Sequence, residues 1–374
     1  MIGAGIVGAA CARELAGAGC AVTVLDRHRP AGATSAHGEG NVLVSDKGPG
    51  PELDLALWSA RLWPQVLADI AEHTPVDIEC VEWQPKGGIV VATTTQGADG
   101  LFAFAGAQAA AGVRLTELDS AALADAEPNL TDAVTAAFHY PQDAQVQPAA
   151  ATIALLAASG AEVLVNCEVL GGDAGALRTS SGVLRADLVV NAAGPWAGDV
   201  ARRLGAPIDV RPRRGEILVT TPQPPTVFHK VYDADYVGAV GSDSADVQTS
   251  AVVESTRAGT ILLGSSRGQV GFDERLRPEV LAAIAAKAVR LFPCLADVAL
   301  MRTYGGFRPY VPDHLPVIGA DPRAPWLWHA TGHEGAGIGL SVGTARLLRQ
   351  LVLGEPSELD AQPFRVDRAA VLGQ

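Results

Sequence analysis

Positive charge is scarce in this chain: 28 Lys and Arg stand against 41 Asp and Glu among 374 residues, a formal charge of −13. A polyanion-binding surface needs clustered basic groups, so this balance argues against nucleic acid as a partner. Long apolar runs are missing too. None approaches the roughly 20 residues of a membrane span, and no charged segment leads into an apolar signal core at the N-terminus. These absences predict a protein without a membrane span, working in the cytoplasm. The five cysteines, Cys11, Cys20, Cys80, Cys167 and Cys294, include no C-x-x-C pair, and the histidines lack ligand spacing. No metal site is therefore expected, and all five thiols read as small packing residues. There is no internal repeat and no low-complexity tail; Pro222-Gln223-Pro224-Pro225 reads as a surface turn.

What is present suits a well-buried α/β protein: 48% of residues are hydrophobic, and the length allows two domains or one large core. Small and apolar residues over 5–15 predict a helix ended by Gly17 and Gly19, followed by a strand over 21–25. Residues 27–50 show no sustained period and read as a long functional loop. Leu53, Leu57, Leu62, Val66 and Ile70 mark a helix over 51–73 that Pro64 should bend or divide. Short β-like runs fill 76–140, around a helical patch at 101–111. The βα alternation returns with a helix over 148–159 and strands over 162–165 and 186–190. A mostly β segment follows over 215–263, then a helix over 278–291 and a last long helix over 338–353, which Gly354 and Pro356 terminate. The alternation predicts two interleaved domains, one over 1–75, 141–214 and 305–374, the other over 76–140 and 215–304.

Four motifs carry chemistry. Gly3-Ala4-Gly5-Ile6-Val7-Gly8 before a helix, with Asp26 ending the next strand, is the pattern of a dinucleotide site: backbone N–H groups face a pyrophosphate and the carboxylate takes ribose hydroxyls. Only Met1 and Ile2 precede the first glycine, whereas such a turn is anchored by a strand of about five residues. The first strand is read as truncated, and a native start several residues upstream is expected. Asp187 to Val190 form an apolar strand that stops on Asn191-Ala192-Ala193-Gly194-Pro195-Trp196. Tyr304-Gly305-Gly306-Phe307-Arg308-Pro309 comes later, and Thr331-Gly332-His333-Glu334-Gly335-Ala336-Gly337-Ile338-Gly339 is a glycine turn feeding a helix whose positive end suits an anionic ring.

In order and spacing these motifs resemble the D-amino-acid oxidase family of FAD enzymes, in the branch with glycine oxidase, sarcosine oxidase, D-amino-acid dehydrogenase and the small flavin subunits of hydrogen cyanide synthase and hydroxyproline dehydrogenase. The resemblance spans nearly the whole chain. It implies a Rossmann-like, doubly wound FAD domain of the glutathione-reductase type, interleaved with a mixed antiparallel-sheet substrate domain. It also implies that Gly3, Gly5, Gly8, Asp26 and Arg27 hold the ADP half of FAD, with Val169 near adenine. Thr34, Ser35, Gly40 and Asn41 would follow the ribitol and flavin edge, and Ala193 and Gly194 would make a second contact. Gly332, His333, Gly335, Gly337 and Ile338 would form the flavin-proximal loop, whose N–H groups stabilise the reduced ring.

The resemblance assigns Arg308 to the substrate carboxylate, a task suited to a planar guanidinium fork, with Tyr304 and His333 as further catalytic candidates. Counting back from Leu263-Gly264, the second substrate-orienting tyrosine of glycine oxidase falls near Val252, which leaves Tyr232, Tyr236, Tyr304 and Tyr310 as other donors. The cysteine that anchors flavin in some sarcosine oxidases falls near Gly306, so the FAD is expected to be non-covalent. The implied reaction is hydride transfer from the carbon beside an amine to flavin N5, with no protein base required. The acceptor is oxygen or, as the Glu39 to Lys47 stretch suggests by its likeness to the dehydrogenase-type small subunits, another acceptor or partner subunit; a homo-oligomer is the other possibility. Two alternatives stand beside this: a cofactor-poor structural subunit and an NAD-dependent dehydrogenase.

Overall fold

The computed structural model describes residues 1–234 and 246–373. A parallel sheet lies at one end, in the order Glu162–Leu164, Thr23–Leu25, Ile2, Val189–Asn191, Ala324–Thr331, with Val317–Asp321 added antiparallel at the edge. Ile2 alone occupies the central position. Its N–H donates to Val190 O at 2.8 Å and its carbonyl accepts from Ala192 N at 2.9 Å; on the other side, Gly3 N donates to Leu25 O at 2.7 Å and Leu25 N to Met1 O at 2.8 Å.

The first helix, Ile6–Gly17, buries Ala9, Ala10, Cys11 and Ala12 against the helices Pro148–Ala158 and Gly337–Leu353. Small side chains let three helices approach closely. The helix Pro51–His73 crosses the helix Gly337–Leu353 just as tightly: Ser59 Oγ donates to Gly339 O at 2.6 Å, Trp63 Nε1 donates to the same oxygen at 3.0 Å, and Gly343 N donates to Ser59 Oγ at 3.1 Å. Pro64 does not divide this helix. Its face is exposed, where water can satisfy the carbonyl a turn earlier that loses its N–H partner.

Among the described residues the second sheet has eight strands in the order Leu300–Tyr310, Arg211–Thr220, Ile261–Arg267, Gln248–Ser255, Lys230–Asp233, Gly88–Ala92, Ala136–Tyr140, Thr116–Glu117. All its pairs are antiparallel except Lys230–Asp233 with Gly88–Ala92. Side chains alternate across it as the pleat requires. Ile89, Val91, Leu218, Val231, Val253 and Leu263 pack with Val280, Ile284, Ala288 and Leu291 of the helix Pro278–Leu291. The opposite face carries Lys230, Tyr232, Val252, Gly264, Gly306 and Arg308, and turns toward the parallel sheet.

Several boundaries differ from the sequence reading. The strand expected over 186–190 is Val189–Asn191, and a three-stranded antiparallel meander, Val169–Asp173, Ala176–Thr179 and Gly182–Arg185, was not anticipated. The loop after Asp26 contains a 3-10 turn, Thr34–His37, and a two-residue strand, Asn41–Val42, paired with Ala144–Gln145. Cys11 and Cys167 are buried, but Cys80 and Cys294 are exposed, so packing does not explain those two thiols. Among the described residues no helix is long and apolar enough to cross a membrane.

The Ser59 crossing gives a direct test of helix packing. Ser59→Ala removes a donor to Gly339 and an acceptor for Gly343 in a fully buried contact, and is expected to cost about 1–3 kcal/mol, read as a lower urea midpoint at unchanged m.

Candidate active site

One long cavity follows the carboxyl ends of the parallel strands and continues over the polar face of the large sheet. Its first segment is the glycine turn. Gly3 sits at φ 105°, and a Cβ there would lie 2.4 Å from Ala192 O; a Cβ on Gly8 would lie 2.0 Å from Gly3 O. Both glycines are required by backbone contact. Gly3 and Gly5 line the cavity, whereas Gly8 does not and acts behind the turn. Asp26 fixes the turn from the neighbouring strand, accepting from Ala4 N at 2.9 Å through Oδ2 and from His28 N at 2.8 Å through Oδ1. Each oxygen keeps a lone pair for a further donor. The first helix has no side-chain cap and no acid in its first turn; Ile6 N donates to Ser35 Oγ at 2.9 Å. Its remaining N-terminal donors face the cavity end, a setting favourable to an anion.

At the same end lie Leu25, Cys167 and Val169, an apolar wall, and Arg27, whose guanidinium stacks 4.2 Å over Trp196. Trp196 stacks in turn on Phe272 at 5.3 Å, and Phe272 meets Phe307 at 5.2 Å. Ala193 and Gly194 border this stretch. Further along, Thr34 Oγ1 donates to Phe307 O at 2.7 Å and ties the loop to the large sheet. Asn41 lines the cavity, but Gly40 does not: at φ 93°, a Cβ on it would lie 1.9 Å from Val146 O, so it permits a backbone crossing.

The far end is charged. Arg308 lies over Gly215, where a Cβ would come within 2.4 Å of its guanidinium, and its Nη1 donates to Ser266 O at 2.7 Å. Gly306 beside it faces His37, so that position itself offers no side chain to a flavin. Glu334, at φ 46°, accepts from Arg213 Nη1 at 2.5 Å and pairs with His314 Nδ1 at 3.0 Å. Burial pushes its carboxyl up, but His314, Arg213 and Arg267 together hold it below the ordinary value. Gly335, Gly337 and Ile338 complete the wall, while Gly332, at φ 78°, packs behind it against Val311. His333 borders the cavity, is buried, and bonds Thr344 Oγ1 through Nε2 at 2.9 Å. Burial lowers its imidazole to about 3, so it is neutral and hydrogen-bonded rather than a poised proton shuttle.

None of the described tyrosines borders the cavity. Tyr304 packs beside it, edge-on to His37, with its hydroxyl 3.4 Å from Gly38 O. Tyr232 is buried with its hydroxyl 2.5 Å from Ser45 Oγ, Tyr310 packs on Arg213 and His314, and Val252 is buried in its strand; Tyr236 lies outside the described residues. Sequence reasoning missed His37 and Glu39, both in the cavity wall, and Lys230 behind Glu39. An acid set between Gly38 and Gly40 was the available signal.

A profile of the FAD-dependent oxidoreductase family, DAO, matches residues 1–351. The chain belongs to the DAO family of FAD-dependent oxidoreductases. It is 28% identical to the glycine oxidase of Geobacillus kaustophilus over 98% of its own length and 96% of that protein's. It is 29% identical to the hydrogen cyanide synthase subunit HcnC of Pseudomonas aeruginosa, covering 98% of this chain and 94% of that one. The crystal structure of the Geobacillus kaustophilus glycine oxidase superposes with a TM-score of 0.87 at 26% identity, over 98% and 97% of the two chains. The L-proline dehydrogenase of P. horikoshii shares the fold, with a TM-score of 0.85 at 22% identity over 97% and 95%. As a DAO-family protein this chain uses FAD, which separates it from the nicotinamide alternative. The cavity suits that cofactor: an anion-friendly helix end, an acceptor carboxylate beside it, and an apolar wall at one extremity.

The buried His333 makes stability pH-dependent with a definite sign. An unfolded histidine takes up its proton near pH 6.5 and the folded one only near 3, so this residue removes stability as pH falls through that window, by about 1.4 kcal/mol per unit. Asp143, raised to about 6, and Glu52, raised to about 7, both chiefly by burial, act in the opposite direction. The difference between wild type and His333→Asn isolates the histidine: urea unfolding at several pH values should show the variant losing less stability than wild type below pH 6.5.

Proposed function

We propose that the protein oxidises the C–N bond of a small amino acid or N-substituted amino acid, of the glycine, sarcosine, D-amino-acid or hydroxyproline type. In this reading Gly3, Gly5, Asp26 and Arg27 hold the ADP half of FAD, Val169 meets adenine, and Ala193 and Gly194 border the pyrophosphate. Thr34, Ser35 and Asn41 follow the ribitol and flavin edge, and Gly335, Gly337 and Ile338 line the ring. The segments 1–75, 141–214 and 305–374 form the cofactor side, and 76–140 and 215–304 the substrate side.

The observation that carries the substrate class is Arg308. It stands at the charged end of the cavity on a floor cleared by Gly215, with one guanidinium nitrogen held by Ser266 O. A fork braced in this way is suited to a carboxylate. Bound there, FAD supplies the two-electron acceptor for the hydride. The substrate nitrogen loses a proton as the carbon loses the hydride; the resulting imine then takes up water and breaks to an oxo acid and an amine. The chain's contribution is position and local field. Gly306 in the cavity wall supports a non-covalent cofactor.

The Glu39 to Lys47 stretch, by its likeness to the dehydrogenase-type small subunits, supports an acceptor other than oxygen, such as a dye, a quinone or a partner subunit. A panel of amino acids assayed with an artificial acceptor and with oxygen alone tests both parts of the proposal: turnover is expected with the acceptor and little oxygen uptake without it. In protein that carries FAD, Arg308→Ala should lower kcat/KM by about 2–5 kcal/mol, roughly 30-fold to several thousand-fold. Unchanged turnover in that variant would remove the carboxylate role. Purified protein without flavin would restore the cofactor-poor subunit.

A further inference from the structure

The large sheet buries a second charged group on the face that carries Arg308. Glu39 comes from the loop after Asp26, lines the cavity and is 7% exposed. Its Oε2 accepts from Asn41 Nδ2 at 3.0 Å and from Lys230 Nζ at 3.2 Å. Lys230, itself 2% exposed, also donates to Glu254 Oε2 at 3.2 Å and to Asn41 Oδ1 at 2.5 Å. One side of the carboxylate is thus fully occupied. The other oxygen, Oε1, is buried with no hydrogen-bond partner. It sits over Gly264, only 1.9 Å from where a Cβ would stand, so a glycine is required there to admit it.

A buried carboxylate oxygen without a donor is costly unless a ligand supplies one. The charges are arranged as a pair. Arg308 is close enough to bear on Glu39 electrostatically, and burial, which raises the Glu39 carboxyl, is outweighed by Lys230, Asn41 and Arg308, so the group stays ionised. Lys230 and Glu254 lie behind it, away from Arg308 along the sheet order.

We infer that Glu39 is the specificity-determining residue that receives the substrate's ammonium group, opposite Arg308 on its carboxylate, so that the site selects zwitterionic amino acids over simple carboxylic acids. This rests on the amino-acid reading above and adds the residue that recognises the nitrogen.

The test separates ligands that differ only in the ammonium. 2-Aminoisobutyrate has no α-hydrogen and binds without being oxidised; pivalate has the same shape with a methyl group in its place. Each is titrated into FAD-loaded protein by following flavin absorbance, alongside the KM of the best substrate and the Ki of its des-amino acid. Glu39→Gln is expected to weaken 2-aminoisobutyrate, and to raise KM, by about 10- to 100-fold while leaving pivalate and the des-amino acid within about twofold. Arg308→Ala should weaken both classes. Equal loss of both in Glu39→Gln, or altered FAD content with no discrimination, would show a structural or flavin-contacting residue and overturn the inference; so would no change in either. If Glu39→Gln does not hold flavin, Glu39→Asp, which keeps the charge and withdraws the oxygen by one methylene, is read by the same criterion. Should no amino acid reduce the wild-type flavin and neither ligand perturb it, the amino-acid reading itself fails. Turnover by wild type with an unchanged KM in the variant rejects Glu39 alone.

Discussion

The pairing of Ile2 on both sides joins the parallel sheet, and the cavity at its carboxyl edge depends on that join. The strand Thr23–Leu25 and the strand Val189–Asn191 are not paired with each other; backbone hydrogen bonds join them through Met1, Ile2 and Gly3. Each such bond contributes about 0.5–1.5 kcal/mol net, but a buried group left unpaired costs about 1–3 kcal/mol, so the penalty for losing the join exceeds the gain from making it. The join also sets geometry. Asp26 ends one neighbour strand and Ala193 follows the other, and the turn from Gly3 to Gly5 passes between them with Ala4 N held by Asp26. Three segments distant in sequence therefore converge at the carboxyl ends of the strands, where doubly wound sheets bind their ligands.

What could be read in the sequence was what local chemistry decides. The helices over 51–73, 148–159, 278–291 and 338–353 were legible because apolar spacing, Pro at the first turn and Gly354 at φ 66° all act within a few residues. The meander at 169–185 was not, because Gly171, Gly172, Gly175 and Gly182 break its alternation into runs too short to show a period. In the site, Gly3, Gly5, Asp26 and Arg308 could be picked out because backbone approach or fork geometry limits the residue type. Gly8, Gly40 and Gly332, expected at the cofactor, each clear backbone or side-chain packing behind the cavity wall. Glu39 left a local signal, an acid between two glycines, but its pairing with Lys230 could not be found, since 191 positions separate the partners.

An acidic chain nevertheless builds a basic patch. Arg213, Arg308 and Arg267 come from three neighbouring strands of the large sheet, so strand pairing, rather than sequence proximity, collects the charge. Glu334 lies among them and takes Arg213, whereas Glu216, on the opposite face of the strand that carries Arg213, takes Arg277 Nε at 3.1 Å. A buried pair of this kind contributes little to net stability, because desolvation offsets attraction. Its consequence is positional. With Arg213 committed to Glu334, Arg308 remains oriented by Ser266 O toward the cavity.

That commitment explains how the glycine loop before the last helix is held. Glu334 adopts φ 46°, a conformation that costs a non-glycine residue of order 1–3 kcal/mol and persists only where surroundings impose it. The imposing contacts reach it from outside its own element: Arg213 from the large sheet and His314 from the turn before Val317–Asp321. The loop's conformation is thus set by the sheet that carries Arg308, while the helix it feeds packs on the first helix behind the glycine turn. One ion pair thus ties the glycine loop to the large sheet at the charged end of the cavity. A change that displaced Arg213 would therefore release Glu334 and, with it, the backbone of Gly335 and Gly337 in the cavity wall.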